Sequence, residues 1–342
     1  MPSLLNIPDI AMLNVLEYTS YKDIFRVRRV CKNLKNFIDQ SKPDIKIKQL
    51  KIAYDQGTIH LKINEKEKFE QKAQLIYIEN KQGCDVRKVR FVPGVGYETD
   101  YVTALLMHLK RILSHQKSPL DNFEVSYSNI LRKSDMKLDG YLRILEFLHD
   151  NLKSRRLLMA VQNLCLTVAE EENVMQILPY LNPKSIKELE LKSVFFTSHW
   201  AGKKPINMAK VVQLPQWKNL KTLLMHDFQI FDIFSKAESF GHILRGNVHF
   251  STIDAADILE LKEKISIAPR QPELSSVTFN VCHTTISNSH LLINHYGLPQ
   301  GTFGAEYWSF ELPHSTLSMT RRRTETSFFT TYNAPPNYVI LN

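Results

Sequence analysis

Between residues 7 and 44 the apolar positions recur every three or four residues, the period that places side chains on one face of a helix. Met12, Val15 and Leu16 follow Pro8 and Asp9. A proline is tolerated in a first helical turn, where its missing N–H has no partner, and a carboxylate there meets the positive end of the helix dipole. Ser20-Tyr21-Lys22-Asp23 spells a second start, a hydroxyl cap with a carboxylate three residues on. Ile24, Val27, Val30, Cys31, Leu34, Phe37 and Ile38 keep the period until Pro43 and Asp44 end it, while Lys22, Arg26, Arg29, Lys32, Asn33 and Lys35 occupy the opposite face. Two or three short helices cannot bury such a stripe among themselves. Part of it must pack on the rest of the chain or on another protein.

Beyond residue 45 the pattern changes to apolar, two residues, apolar, one residue, apolar. It occurs at Ile47/Leu50/Ile52, Val86/Val89/Phe91, Leu120/Phe123/Val125, Val161/Leu164/Leu166, Ile186/Leu189/Leu191, Leu220/Leu223/Met225 and Leu274/Val277/Phe279. The last pair of each alternates as a half-buried strand does. Roughly five such matches arise by chance in so apolar a chain, so context carries the reading. Most copies follow Gly83, Pro119, Pro183, Pro215 or Pro272, and most precede a stretch of helical period. Asp100 is placed to cap a helix bearing Val102, Leu105, Leu109 and Leu113, and Ser134 one bearing Leu138, Tyr141, Leu145 and Leu148. Residues 169–181 open with three glutamates, and residues 227–244 and 251–265 also read as helices.

The expected fold is mixed α/β. Residues 1–44 form an all-α unit and residues 45–295 an irregular, leucine-rich-repeat-like strand–helix solenoid. An ordinary α/β sheet gives the same alternation. Residues 296–342, rich in aromatics such as Phe303, Tyr307, Trp308 and Phe310, are expected to form a β-type cap and tail.

Composition narrows the functional classes. The chain has 342 residues, 43% hydrophobic and 23% charged, as in folded proteins, with a formal charge of +9 that favours acidic partners. The densest basic run, Arg321-Arg322-Arg323, is short and reads as a solvated loop, which argues against nucleic acid. Cys31, Cys84, Cys165 and Cys282 form no C-x-x-C pair, no basic segment feeds an apolar leader, and no apolar run is long enough to span a membrane. The expected location is the cytosol or nucleus. Gly94-Val95-Gly96 lacks the third glycine of a dinucleotide loop, and His283, His290 and His295 lack metal-ligand spacing. No phosphate-binding loop or nucleophile elbow occurs. The reading is of a non-catalytic protein without cofactor or metal.

In order and spacing, Ile7-Pro8-Asp9, Val15-Leu16, Asp23-Ile24, Val30-Cys31-Lys32 and Leu34 resemble the F-box, with Ile10 and Thr19 as departures from its usual residues. The resemblance implies that an apolar stripe made of Leu5, Ile7, Pro8, Met12, Val15, Leu16, Ile24, Val27, Val30, Cys31 and Leu34 grips a Skp-type adaptor and, through it, a cullin–RING ubiquitin ligase. Residues 150–290 resemble the FTH domain found behind F-boxes in nematode proteins. Leu142-Arg143-Ile144-Leu145-Glu146, Ser185-Ile186-Lys187-Glu188-Leu189-Glu190-Leu191 and Trp217-Lys218-Asn219-Leu220-Lys221 carry that resemblance. It implies a region that recruits a protein substrate. The net charge points to an acidic or phosphorylated one.

Overall fold

The structure is a computed structural model and describes residues 7–65, 73–88, 95–128, 138–195, 204–231, 236–243, 245–249, 252–267, 279–282, 285–287, 291, 293–294, 300–302, 305–312 and 315–322. Three helices come first: α1 (Asp9–Glu17), α2 (Tyr21–Val27) and α3 (Lys32–Ser41). Ser20 caps α2, its hydroxyl accepting from the Asp23 N–H at 3.2 Å. The apolar period that runs from Ile24 to Ile38 is broken at Cys31, whose extended backbone (φ −156°, ψ 166°) starts α3. Lys42 ends α3 in the left-handed region at φ 45°.

An antiparallel meander follows: β1 (Gln49–Asp55), β2 (Thr58–Asn64), β3 (Ala73–Asn80), β4 (Gly83–Lys88) and β5 (Val95–Tyr97). The repeated apolar pattern predicts a strand at β1 but passes over β2 and β3, and of its copy at Val86/Val89/Phe91 only Val86 falls within β4. The signal of β2 is plain alternation, with Ile59, Leu61 and Ile63 buried beyond the Gly57 turn. Gly57 sits at φ +76°, where a side chain is strained. Val89 and Phe91 lie outside the described residues.

From β1 the sheet grows by parallel addition in chain order. Next come α4 (Tyr101–His115), β6 (Leu120–Tyr127), α5 (Asp139–Lys153), β7 (Val161–Val168), α6 (Glu171–Met175), β8 (Glu188–Ser193), β9 (Lys204–Asn207), α7 (Pro215–Lys218), β10 (Thr222–His226) and β11 (Phe228–Phe231). The remainder is α8 (Lys236–Phe240), β12 (Arg245–His249), β13 (Thr252–Asp254), α9 (Ala255–Ile267), β14 (Phe279–Cys282), β15 (Thr285–Ser287), β16 (Gln300–Thr302), β17 (Ala305–Leu312) and β18 (Ser315–Arg322). Among the described residues one sheet has fourteen strands, in the order β16-β17-β18-β14-β12-β10-β8-β7-β6-β1-β2-β3-β4-β5. From β1 through β6, β7, β8, β10, β12 and β14 to β18, each neighbour is parallel. Two small parallel pairs, β9–β11 and β13–β15, lie outside it. The alternating residues of 307–312 lie in β17, antiparallel to β18 at one end of the large sheet.

The register stacks like residues side by side. Ile52, Val125, Leu166, Leu191 and Met225 occupy one row of the buried face. Helix α4 brings Leu105, Leu109 and Leu113 into the same core, and α5 brings Tyr141, Leu145 and Leu148. Asp100 caps α4, accepting from Val102 and Thr103 at 3.0 Å each. Helix α5 follows Leu138, which makes no side-chain cap, and Ser134 lies outside the described residues. The other sheet face is polar and half-exposed, with Lys51 paired to Glu124 at 2.7 Å.

Three helix expectations are corrected. Residues 227–244 are not one helix. Asp227 turns the chain at φ 63° into strand β11, whose Phe228 and Ile230 are buried on alternate positions while the backbone pairs with β9. Strand pairing overrides the local helical period there. Residues 169–181 form only the short α6 and a 3-10 turn at Leu178–Tyr180, where Pro179 removes a donor. Residues 252–254 are strand β13, and the helix begins at Ala255. For the repeat at Leu274/Val277/Phe279, β14 starts at Phe279, while Leu274 and Val277 lie outside the described residues.

Candidate functional site

The site expected from the sequence lies on the three N-terminal helices, and burial divides its residues into two sets. Met12, Leu16, Ile24 and Leu34 face inward and join Tyr21 and Ile38 in the core shared with the sheet. They hold the helices together rather than standing open to a partner. Val15 and Val30 are 52% and 72% exposed, and Pro8 is exposed as well. Ile7, Val27 and Cys31 are half-buried against the core, and Leu5 lies outside the described residues. Two further apolar side chains stand outside, Ile10 at 76% and Tyr18 at 91% exposed. By sequence Ile10 counts only as a departure from the F-box, and Tyr18 draws no notice. The signal of both is an apolar residue off the inward stripe of α1.

Polar contacts hold the three helices to one another. Arg28 of the α2 C-cap donates to Asp39 of α3 through two nitrogens, at 2.6 and 2.8 Å. The Arg28 hydrogen bond holds the Asp39 carboxyl below its ordinary range. Lys46 donates to the Glu17 carbonyl at 2.8 Å, and its ammonium stands 5.9 Å from the Tyr18 ring centre.

The helices are also docked on the body of the protein. Phe25 meets the His115 ring edge-on with centroids 5.6 Å apart, and His115 Nδ1 donates to the Pro43 carbonyl at 3.3 Å. The Tyr21 N–H donates to Glu65. Asp44 accepts from the backbone of Lys117 and Ser118, at 3.0 and 3.2 Å, and from the Ser118 hydroxyl. Burial pushes the Asp44 carboxyl up, but these donors more than offset it and leave it lowered. Burial lowers His115, which favours its neutral form. Gln116 completes the joint: it accepts from the Ile47 N–H at 3.0 Å and donates to the Ile47 and Ser118 carbonyls at 2.9 and 2.7 Å.

The result is a docked helical platform whose outer apolar residues, Pro8, Ile10, Val15, Tyr18 and Val30, are exposed. Such a surface offers burial to a partner rather than chemistry to a substrate. Among the described residues no group of three or more His, Cys, Asp or Glu side chains is placed to hold a metal. No helix among them is long and apolar enough to cross a membrane.

Comparison with known protein families finds an F-box domain over residues 4–46 and an FTH domain over residues 142–293. The first match coincides with the docked helices and the second begins within α5 and ends beyond β15. No curated protein and no solved structure matches the chain. F-box domains bind Skp1-type adaptors and, at the level of the family, mark substrate adaptors of Skp–cullin–F-box complexes. F-box and FTH domains are typical of non-catalytic adaptor proteins. The order of the helices and the two domain matches agree, and the chain is an F-box protein that carries an FTH domain.

Proposed function

We propose that this protein is the substrate-recognition subunit of a Skp–cullin–F-box ubiquitin ligase. The N-terminal platform binds the adaptor, the parallel array recruits a protein substrate, and ubiquitin transfer occurs on partner subunits. One observation carries the reading: the F-box helices keep an apolar outer face after their inner face has joined the core. Burying what Ile10, Val15, Tyr18 and Val30 leave exposed, at up to roughly 1.5–3 kcal/mol for a fully exposed side chain, supplies several kcal/mol toward an interface before ordering costs.

We read the array as leucine-rich-repeat-like. In support, its strands add in parallel and in chain order, apolar residues stack in rows, and β10 and β12 each lead into a short outer strand. A solenoid of this kind presents long continuous surfaces to protein partners. Cytosol or nucleus remains the proposed location.

A second reading is a scaffold without ligase function, and the docking through His115, Asp44 and Gln116 is the observation that favours it. Adaptor capture separates the two. Full-length protein is expected to co-purify with a Skp-type adaptor, and Val15→Asp/Val30→Asp to lose at least about ten-fold in affinity, because a charge in a desolvated interface is costly. Both positions are exposed, so the variant should keep the wild-type melting temperature. A wild type that captures no adaptor removes the ligase reading and leaves the scaffold.

A further inference from the structure

The loops that lead into the parallel strands lie side by side at one edge of the sheet. Backbone hydrogen bonds link each to the next: Asp121 N–H to Lys48 O at 2.8 Å, Leu120 N–H to Ala160 O at 2.9 Å, Lys187 N–H to Gln162 O at 2.8 Å, and Lys221 N–H to Lys187 O at 2.8 Å. Every one of these loops brings a basic residue to the same edge. Lys117, Arg156, Lys184, Lys187, Lys218 and Lys221 are all exposed. None has an ion-pair partner among the described residues. Of the acids along this edge, Asp44 is engaged by the backbone N–H groups of Lys117, Ser118 and Lys46, Asp121 by Lys48 at 3.6 Å, and Glu188 follows Lys187 at the start of β8.

The loops are braced from within. Buried Gln116 ties the loop before β6 to Ile47, and buried Gln216 donates to the Pro179 and Leu181 carbonyls at 3.0 and 2.7 Å. Arg155 turns inward and donates to the Leu113 and Gln116 carbonyls at 2.8 and 2.6 Å. Its neighbours Arg156, Leu157 and Leu158 are thereby held outward on an anchored loop, with Leu157 79% exposed. A partner meeting this edge orders little of it, so little of the contact energy is lost to ordering.

We propose that this edge is a docking ridge for a glutamate- and aspartate-rich polypeptide segment with an apolar residue at its centre. This deepens the substrate-recruiting reading above and rests on it. Charge complementarity selects an acidic segment. From β6 to β10 the ridge crosses three strand spacings, about 14 Å, the length of about four extended residues. The exposed leucines in its middle favour a polypeptide, which can place a side chain against them. A single-stranded nucleic acid needs aromatic platforms, and among the described residues of the ridge the aromatic Trp217 is buried. The ridge starts at the Asp44–Ser118 joint, so a segment held there sits at a set position relative to the adaptor platform.

The test uses full-length protein and a fluorescein-labelled glutamate-rich peptide with a central Leu-Leu pair, read by anisotropy. Saturable binding that weakens as salt rises is expected, with no binding of the lysine-rich counterpart. Lys184→Glu/Lys187→Glu/Lys218→Glu/Lys221→Glu should weaken binding about ten-fold or more, because four exposed charge contacts are reversed together. The Lys→Gln set should give a smaller loss, and Leu157→Ser/Leu158→Ser a loss that salt does not change. Unaltered charge-variant affinity, an absent peptide signal, or tighter binding of oligothymidylate or phosphatidylserine vesicles each overturns the ridge. Adaptor capture by the same variants should match wild type. A ridge that fails while capture persists leaves the proposed function standing, and the reverse result isolates failure of the adaptor reading.

Discussion

Several side chains here are set by what their neighbours leave open. Gly140, in the first turn of α5, faces the Tyr54 ring. An added Cβ would stand 2.6 Å from the Tyr54 hydroxyl and 2.8 Å from a ring carbon. That ring cannot retreat, because it stacks on Tyr101 and Tyr127 and its hydroxyl pairs with Tyr101 at 2.9 Å. Helix propensity alone would reward Gly140→Ala by up to about 1 kcal/mol. We expect the opposite, a loss of about 1–3 kcal/mol from overpacking, seen as a lower midpoint in urea. A midpoint that rises would mean that the tyrosine cluster yields.

Among the elements, the bend between β10 and β11 is held by one residue. Asp227 sits at φ 63°, a region that aspartate tolerates and β-branched residues resist. Asp227→Val is expected to cost about 1–2 kcal/mol, whereas Asp227→Gly should cost nothing or gain slightly. Thermal melts of the two variants decide it, and equal melting temperatures would remove the backbone account. The same bend explains why the local period misleads: Ile230 and Phe231 suit a helix by spacing, but pairing of Phe228–Phe231 with β9 satisfies their backbone as a strand.

For the molecule taken together, acid stability should fall in two stages. Burial lowers His60, His108, His115 and His242 from the ordinary histidine value. A lowered histidine binds its proton more readily once unfolded. Its contribution is therefore present above about pH 6.5, the unfolded value, and is lost as pH falls below it. Asp39 is lowered chiefly by its Arg28 bond. Asp100 is raised by burial but lowered more by Thr103 and Arg143. Their contributions persist until pH falls to about 4. The melting temperature should decline between about pH 7 and 5, and again below about 4. A flat profile across the first interval would contradict the burial of these rings. His115 lies at the joint between the helices and the body, so the first stage should loosen the platform as well.

Local chemistry makes much of this legible in advance. The Ser20 and Asp100 caps, the helical stripe of residues 7–38 and the strands at Phe123/Val125 and Leu189/Leu191 depend on neighbours close in sequence, and spacing reports such neighbours directly. The family likeness rests on the same short words. The division of the helical stripe does not follow from spacing. Met12 and Val15 are both apolar and three residues apart, and only the placement of the helices against the body determines that one is buried and the other exposed. The basic ridge is equally hidden. Lys117, Arg156, Lys187 and Lys221 are scattered in sequence, and parallel pairing in chain order brings them to one edge. Periodicity records which way a residue faces within its own element, whereas proximity between elements is settled by the long-range packing that assembles them.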